Sequence, residues 1–274
     1  MNRMSVLDAE EFRRLLDGAR PVVLDVRWSL ADGADADGYA AAHVPGAVFV
    51  DLDAQLCGPA GAGGRHPLPD PAALQEVLRG AGIDDGATVA IYDGGDMLAA
   101  ARAWWTLHWV GLTDVRVLNG GFGAWRAIGA PVTDAATAPA PGGITVRPDA
   151  SWVLDADGAA RLAGAGRLAD VRAPERFRGD SEPIDPVAGH IPGAVNLPAG
   201  AYMAPDGGFV TGDDLAGVFA ATPPDIGVYC GSGVTAARTA LAMTAAGLPT
   251  PRVYIGSWSG WIAEGRRPVA TGDA

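Results

Sequence analysis

Short apolar, β-branched runs alternate along this chain with segments whose apolar residues recur at helical spacing. In the first half, strand patterns occur at 22–26, 89–92 and 115–118. In the second half, they recur at 226–229 and 252–255. Strands that alternate with helices are typical of α/β domains built on a mainly parallel sheet.

The helical segments between these strands carry recognisable start signals. Asp70 before Pro71 is one of them, because aspartate caps a helix and proline suits its first position. The pattern predicts helices at 9–16, 71–79, 97–110, 123–128, 215–220, 236–246 and 258–263.

The second half of the chain repeats motifs of the first half in the same order. The pairs are Asp-Val-Arg at 25–27 and 170–172, His-(Val/Ile)-Pro-Gly-Ala at 43–47 and 190–194, strand segments leading into 93 and 230, and Gly-to-Trp segments at 120–125 and 256–261. Four pairs at nearly constant spacing indicate a tandem duplication. We therefore predict two domains, 1–138 and 144–274, joined near the Pro/Ala/Gly-rich stretch 137–143.

Composition limits the kinds of binding partner and the cellular compartment that we expect for this protein. The chain has 32 acidic and 20 basic residues, a net charge of −12, which argues against nucleic acid or an anionic membrane surface as a partner. Two cysteines are too few for a disulfide framework, and no apolar run reaches membrane-spanning length. The first residues lack the apolar core of a signal peptide, so we expect a protein of the reducing cytoplasm.

One cysteine stands where chemistry is expected, between a predicted strand and a predicted helix. Residues 230–235, the cysteine loop, read Cys-Gly-Ser-Gly-Val-Thr. Gly231 and Gly233 can take a left-handed backbone, so N–H groups of the loop can point inward around an anion. Together with the helix N-terminus, they would stabilise a Cys230 thiolate. The alternative is a cysteine that is buried only for packing.

The duplication bears on that alternative, because the first half has Asp93 at the position of Cys230. A carboxylate can cap a helix but is not a soft nucleophile. The fold therefore does not require cysteine at this place, which favours a chemical role for Cys230. By the same logic, groups present in both halves are interpreted as structural: Arg27, Arg172, His43 and His190. The tryptophans of the predicted helix 97–110 are interpreted as packing residues.

Taken together, these motifs resemble the rhodanese family of two-domain sulfurtransferases over almost the whole chain. The resemblance implies two tandem rhodanese-like domains, each a mainly parallel sheet flanked by helices, with a first domain lacking the catalytic cysteine and a catalytic second domain. Thiosulfate enzymes of the family usually carry basic residues directly after the cysteine, whereas mercaptopyruvate enzymes carry a loop like that at 230–235. The loop thus implies 3-mercaptopyruvate as the sulfur donor.

The resemblance also implies the residues of the site. The catalytic group is Cys230, Ser232, His66 and Asp53, and the substrate-binding group is Arg176, Gly231, Gly233, Val234 and Thr235. From the residues alone, Asp53 reads equally well as a turn cap and His66 as an ordinary loop histidine. Mercaptopyruvate members usually have a second arginine several residues after Arg176. Here the stretch 181–186 has none, and Arg178 is a candidate to replace it.

The implied reaction forms a persulfide on Cys230, which a thiol such as thioredoxin, or cyanide in an assay, then discharges. It needs no metal or organic cofactor. Thiosulfate as donor remains an alternative, as does a sulfur-carrier module that serves a protein partner. A cysteine phosphatase is disfavoured, since phosphate clamping needs an arginine six positions after the cysteine and Ala236 stands there.

Overall fold

The structure, a computed structural model, describes residues 5–273 and divides into two compact units. The first unit contains the chain up to Gly58, Pro69–Asp149 and Ala204–Phe209. The second contains Pro59–Leu68, Ala150–Met203 and the chain from Val210 onward. The second unit therefore includes Pro59–Leu68, although this segment lies within the predicted first domain, 1–138.

The first unit is a parallel sheet with helices around it. Its strands are β1 (Val6–Leu7), β2 (Val22–Asp25), β3 (Trp28–Ser29), β4 (Gly33–Ala34), β5 (Ala47–Phe49), β6 (Val89–Tyr92) and β7 (Val115–Leu118). Its helices are α1 (Ala9–Ala19), α2 (Ala36–Ala41), α3 (Leu52–Gln55), α4 (Pro71–Gly80), α5 (Leu98–Trp109) and α6 (Gly121–Ala127). Five strands pair in parallel in the order β1-β7-β6-β2-β5, and β3 and β4 form a separate antiparallel pair.

The second unit repeats this arrangement. Its strands are β8 (Val153–Leu154), β9 (Leu168–Asp170), β10 (Val195–Asn196), β11 (Gly227–Tyr229) and β12 (Arg252–Tyr254). Its helices are α7 (Ala156–Gly164), α8 (Pro174–Arg178), α9 (Gly212–Val218), α10 (Val234–Ala245) and α11 (Ser257–Ile262), with 3-10 turns at Ala150–Trp152 and Ala199–Tyr202. The strand order is β10-β9-β11-β12-β8, and all pairs are parallel. Read from the β8 edge, it matches the order of the first unit, with β8 in the place of β1, β11 in the place of β6 and β10 in the place of β5. The predicted α/β fold of two tandem parallel-sheet repeats is confirmed.

Residues shared by both halves serve the core of each unit. Arg172 makes a forked ion pair with Asp170 and donates to the backbone oxygen of Gly189 at 2.6 Å. The first unit has the equivalent pair of Arg27 with Asp25. Both oxygens of each buried carboxylate accept hydrogen bonds from its arginine, which is the condition under which an interior tolerates such charges.

The repeated histidines are also buried within their own units. His43 stacks on Tyr39 at 4.0 Å between ring centroids, and His190 stacks on Phe177 at 3.8 Å. Each ring donates a hydrogen bond from its Nδ1 to a backbone oxygen at 2.8 Å. Packing and hydrogen bonding thus account for both rings without a catalytic role.

Aspartate side chains cap the starts of α1, α2, α3, α4 and α7. Asp70 accepts hydrogen bonds from the backbone N–H groups of Ala72 and Ala73 at 3.0 and 2.9 Å, so α4 starts where predicted. By contrast, α9 spans Gly212–Val218 rather than 215–220. Asp213 and Asp214 fill its first turn, where the helix dipole favours acidic side chains.

The central strands β6 and β11 lead directly to the residues of interest. Strand β6 ends before Asp93 and is followed by α5, while β11 ends before Cys230 and is followed by α10. In parallel α/β sheets, ligands bind at the carboxyl ends of the strands. Among the helices of residues 5–273, none combines the length and the apolarity that a membrane span requires.

Candidate functional site

Cys230 is a buried thiol at the carboxyl end of β11, with 2% of its surface exposed. The backbone N–H of Gly233 donates a hydrogen bond to Sγ at 3.1 Å. Gly233 has φ +90°, a left-handed conformation, and α10 starts directly after it. A thiolate here therefore meets an N–H dipole and the positive end of a helix.

A second polar group contacts the cysteine from α11. The hydroxyl of Ser257 accepts a hydrogen bond from the Cys230 N–H at 3.1 Å, lies 3.9 Å from Sγ and donates to the Tyr254 oxygen at 2.8 Å. Ser257 is fully buried and has φ +52°, a left-handed value that is costly for any residue except glycine. The sequence reading missed it, although the repeat aligns it with Gly121, whose φ is +55°.

Ser232 and His66 are brought together within the second unit. His66 Nδ1 lies 2.8 Å from Ser232 Oγ, and Ser232 is 7% exposed. His66 belongs to Pro59–Leu68, the segment that precedes most of the second unit in sequence.

Close backbone contacts hold that segment in place. Gly61 and Gly64 exchange backbone hydrogen bonds at 3.0 and 2.9 Å, and the Arg65 N–H donates to Ser259 Oγ at 3.1 Å. Gly64 has φ +101°, and a Cβ there would lie 2.6 Å from the backbone oxygen of Gly256. Only glycine fits this approach, so the turn fixes where Arg65 and His66 point.

Asp53 lies in the first unit, in the short helix α3. Its carboxylate accepts a hydrogen bond from Trp28 Nε1 at 2.7 Å. The cap of α3 is Asp51, which accepts from the Ala54 N–H at 3.0 Å, so the turn-cap reading does not apply to Asp53. A catalytic role for Asp53 stays a prediction.

Arg176 lies beside the cysteine loop in a buried ionic cluster. Its Nε and Nη2 atoms donate to both carboxylate oxygens of Glu182 at 2.7 to 3.1 Å, and Nη2 also donates to Asp185 at 3.2 Å. Burial raises the pKa of Glu182, but hydrogen bonds from Arg176 and from the N–H groups of Asp185 and Ile184 outweigh it. The net pKa is lowered.

Of the two loop glycines, Gly233 adopts the left-handed backbone and Gly231 does not. Gly231 is instead crowded by guanidinium groups. A Cβ at this position would lie 2.8 Å from Arg65 Nη2 and 3.6 Å from Arg176 Nη2. The glycine therefore leaves room for two arginines next to the nucleophile position.

The other predicted residues lie in the first turn of α10 or away from the loop. Val234 is buried there, and the backbone oxygen of Thr235 accepts from the Thr239 hydroxyl at 3.2 Å. Arg178 pairs with Asp180 at 2.7 Å, with 36% of its side chain exposed.

The first unit has a related loop that holds a carboxylate. Asp93 is fully buried and accepts hydrogen bonds from the N–H groups of Gly95 at 2.9 Å, Met97 at 3.3 Å and Ala100 at 3.1 Å. Burial and the nearby Asp96 raise the pKa of Asp93 to about 6. Both loops thus direct backbone N–H groups at a side chain that can carry negative charge.

The second cysteine does not share this setting. Cys57 lies in the first unit, is free, and has its pKa raised by burial. Within the described part of the chain, no group of three or more His, Cys, Asp or Glu side chains is placed to hold a metal ion.

Comparison with known proteins gives concordant results. The pattern of the rhodanese-like domain family matches residues 8–128 and 150–264. A Pseudomonas aeruginosa protein named "Probable 3-mercaptopyruvate sulfurtransferase" is 44% identical over 284 residues, covering 100% of both chains. A Mycobacterium tuberculosis protein, provisionally named a thiosulfate sulfurtransferase, is 41% identical over 98% of each chain. The solved structure of 3-mercaptopyruvate sulfurtransferase from Leishmania major superposes with a TM-score of 0.79 at 28% identity, over 93% of this chain and 73% of that one.

Proposed function

This chain belongs to the rhodanese-like family and is a sulfurtransferase, and we propose that its Cys230 takes a sulfur atom from 3-mercaptopyruvate and passes it to a thiol. The observation that carries the proposal is the hydrogen bond from the Gly233 N–H to Cys230 Sγ at the start of α10. This contact supports both a thiolate before the transfer and an anionic persulfide after it.

The first step is a nucleophilic displacement at sulfur. The Cys230 thiolate attacks the thiol sulfur of 3-mercaptopyruvate, an S–S bond forms and the C–S bond breaks. The electron pair of the C–S bond passes to the carbon, which takes the proton of the donor's thiol and leaves as pyruvate. The protein keeps a persulfide anion, so charge and atoms balance without an external oxidant.

The second step returns the enzyme to its starting state. An acceptor thiolate attacks the outer sulfur of the persulfide and forms a new S–S bond, so the acceptor leaves as a persulfide. The S–S bond to Cys230 breaks, and its electron pair regenerates the Cys230 thiolate. Such a two-step transfer through a covalent intermediate follows ping-pong kinetics. We propose a thiol protein such as thioredoxin as the acceptor, and a cytoplasmic location. A dedicated partner that takes sulfur directly from Cys230 is the alternative.

Ser232 and His66 are proposed to move the proton in the first step. Their 2.8 Å contact allows the histidine to orient and polarise the serine hydroxyl toward the sulfur donor. Asp53 is proposed as the third catalytic residue, as the family resemblance implies, in the logic of a serine–histidine–aspartate relay without a serine nucleophile.

The choice of sulfur donor rests on the cysteine loop. Gly231 and Ser232 follow the cysteine where thiosulfate enzymes usually carry basic side chains. Thiosulfate remains the second candidate, because the relative at 41% identity carries that name.

A donor comparison tests the proposal. Purified wild type and Cys230→Ser are each given 3-mercaptopyruvate or thiosulfate, with cyanide as acceptor. We expect wild type to prefer 3-mercaptopyruvate and Cys230→Ser to be inactive with both. Equal turnover by the two proteins would remove the thiolate mechanism, whereas a strong preference for thiosulfate would remove only the donor assignment. His66→Ala should slow turnover of 3-mercaptopyruvate, and unchanged kinetics would remove the histidine's role.

A further inference from the structure

Arg65 is a cationic residue next to the cysteine loop. It has no part in the two reaction steps proposed so far. It lies on Pro59–Leu68, where its own N–H is fixed on Ser259 Oγ at 3.1 Å. Its Nη1 forms an ion pair with Asp185, and its Nη2 lies 2.8 Å from the point where a Cβ of Gly231 would stand. The guanidinium thus faces the residue that directly follows Cys230.

Arg176 approaches the same point from α8. Its Nη2 and Nη1 atoms lie 3.6 and 3.8 Å from the Cβ position of Gly231. Asp185 joins the two arginines, since its Oδ1 pairs with Arg65 and its Oδ2 accepts from Arg176 at 3.2 Å. Two guanidinium groups therefore converge beside one glycine, held apart and oriented by a shared carboxylate.

The N–H groups of these arginines are not all used within the protein. Arg65 Nε is buried and has no hydrogen-bond partner among residues 5–273. The carboxylates of Glu182 and Asp185 are almost fully buried, with side-chain exposures of 3% and 2%, and are already occupied by arginines. The guanidinium groups remain reachable, with 29% of the Arg65 side chain and 16% of the Arg176 side chain exposed.

The ligand that fits two converging guanidinium groups is a planar carboxylate. The rigid fork of arginine matches the two oxygens of a carboxylate, and the charge strengthens each hydrogen bond. A three-carbon 2-oxo acid separates its sulfur from its carboxylate by roughly one residue spacing, ~3.8 Å between consecutive Cα atoms. Sulfur at Cys230 therefore leaves the carboxylate near Gly231.

We propose that Arg65, together with Arg176, binds the carboxylate of the 2-oxo-acid sulfur donor while Cys230 takes the sulfur. This inference rests on the proposed function. It gives Arg65 the role of the second arginine, which the stretch 181–186 does not contain. Arg178 does not fill that place, because it pairs with Asp180 and lines a cavity of about 260 Å³ with Phe177, Val195, Asn196 and Asp273.

The test separates donor binding from chemistry in Arg65→Gln and Arg65→Lys. For 3-mercaptopyruvate, Arg65→Gln should raise KM on the order of 10- to 100-fold, the effect of losing a charge-assisted hydrogen bond, with a smaller change in kcat. Arg65→Lys keeps the charge but not the fork, so its KM should fall between wild type and Arg65→Gln. Arg167→Gln is the matched control, since it breaks an exposed Arg–Asp pair elsewhere in the same unit and should leave KM unchanged.

A second measurement covers the case in which Arg65→Gln folds poorly. Pyruvate carries the same carboxylate and should inhibit wild type by binding at the donor site, and its inhibition constant should rise for Arg65→Lys in the same proportion as KM. If wild type turns over 3-mercaptopyruvate and both Arg65 variants keep its KM, the inference about Arg65 is wrong while the proposed function stands. If wild type does not use 3-mercaptopyruvate at all, the proposed donor is wrong and the role of Arg65 falls with it.

Discussion

Ser257 and Gly121 occupy equivalent positions in the two units and adopt almost the same left-handed conformation, with φ of +52° and +55°. Glycine takes this conformation freely, whereas serine is strained there by roughly 1–3 kcal/mol. The unit with the strained serine is the one that contains the cysteine. A strained, buried hydroxyl that contacts both the N–H and the sulfur of Cys230 is best explained as a positioning group for the thiolate.

Ser257→Gly tests this interpretation, because it removes the hydroxyl and relieves the strain at once. The unfolding free energy should stay within about 1 kcal/mol of wild type, since the relief of strain offsets both the loss of the hydroxyl's hydrogen bonds to Cys230 and Tyr254 and the added chain entropy of glycine. Turnover should fall on the order of 10-fold, measured by steady-state kinetics beside urea unfolding. Ser257→Ala is the control that keeps the strain without the hydroxyl. Full activity in both variants would assign the hydroxyl to folding alone.

At the scale of elements, the second unit is completed by Pro59–Leu68, a turn that is remote in sequence. This segment brings Arg65 and His66 to the cysteine loop, and its glycine turn packs against the start of α11. No secondary structure holds it, so its position depends on a few close backbone contacts. The site is therefore sensitive to changes in a segment that contains no catalytic nucleophile.

Gly64→Ala should disturb this docking, because its Cβ would meet the Gly256 oxygen at 2.6 Å in a left-handed backbone. We expect kcat/KM for the sulfur donor to fall at least 10-fold, with a smaller loss in global stability. Gly61→Ala is the matched control, since nothing lies within 4 Å of its Cβ position and its backbone is not left-handed. Equal activity of the two variants would show that the segment is not held by the contact at Gly64.

At the scale of the whole molecule, the chain contains two versions of one loop after one central strand. In the second unit the loop holds a thiol, and in the first it holds the buried carboxylate of Asp93. The backbone N–H groups of Gly95, Met97 and Ala100 satisfy that carboxylate, yet burial still favours its protonated form. The first unit thus keeps the loop geometry with a group that cannot accept sulfur.

Asp93 should give the first unit a measurable pH dependence. Its folded-state pKa of about 6 lies above the ordinary value of 3.8, so the folded protein binds this proton more tightly than the unfolded chain. The resulting stabilisation is complete below about pH 4 and is lost as the pH rises through 6. Relative to Asp93→Asn, wild type should gain about 1 kcal/mol of unfolding free energy from pH 7 to pH 5.

Urea unfolding of wild type and Asp93→Asn at pH 5 and pH 7 measures that difference. Asp213→Asn, the same substitution at an exposed position, is the control. A constant difference between wild type and Asp93→Asn would mean that Asp93 does not titrate in the fold between pH 5 and pH 7, which contradicts this account.

The repeat, the alternation of strands and helices and the place of Cys230 were all readable from the sequence, because they depend on local pattern and short-range capping. Ser257 and Arg65 were not predicted. Ser257 reaches Cys230 through a backbone conformation that no pattern encodes, although its alignment with Gly121 was a signal. Arg65 reaches the cysteine loop through the docking of a distant turn, and Gly231 gives room to approaching side chains rather than a left-handed φ angle.

The central claim is that Cys230 itself carries the sulfur, and intact-protein mass spectrometry after one reaction with 3-mercaptopyruvate, without acceptor, tests it most directly. Cys57→Ser is the matched control for the other thiol of the chain. Wild type and Cys57→Ser should each gain the mass of one sulfur atom, which a thiol acceptor then removes, while Cys230→Ser gains none. A sulfur adduct that persists in Cys230→Ser, or that is lost in Cys57→Ser, would contradict the account.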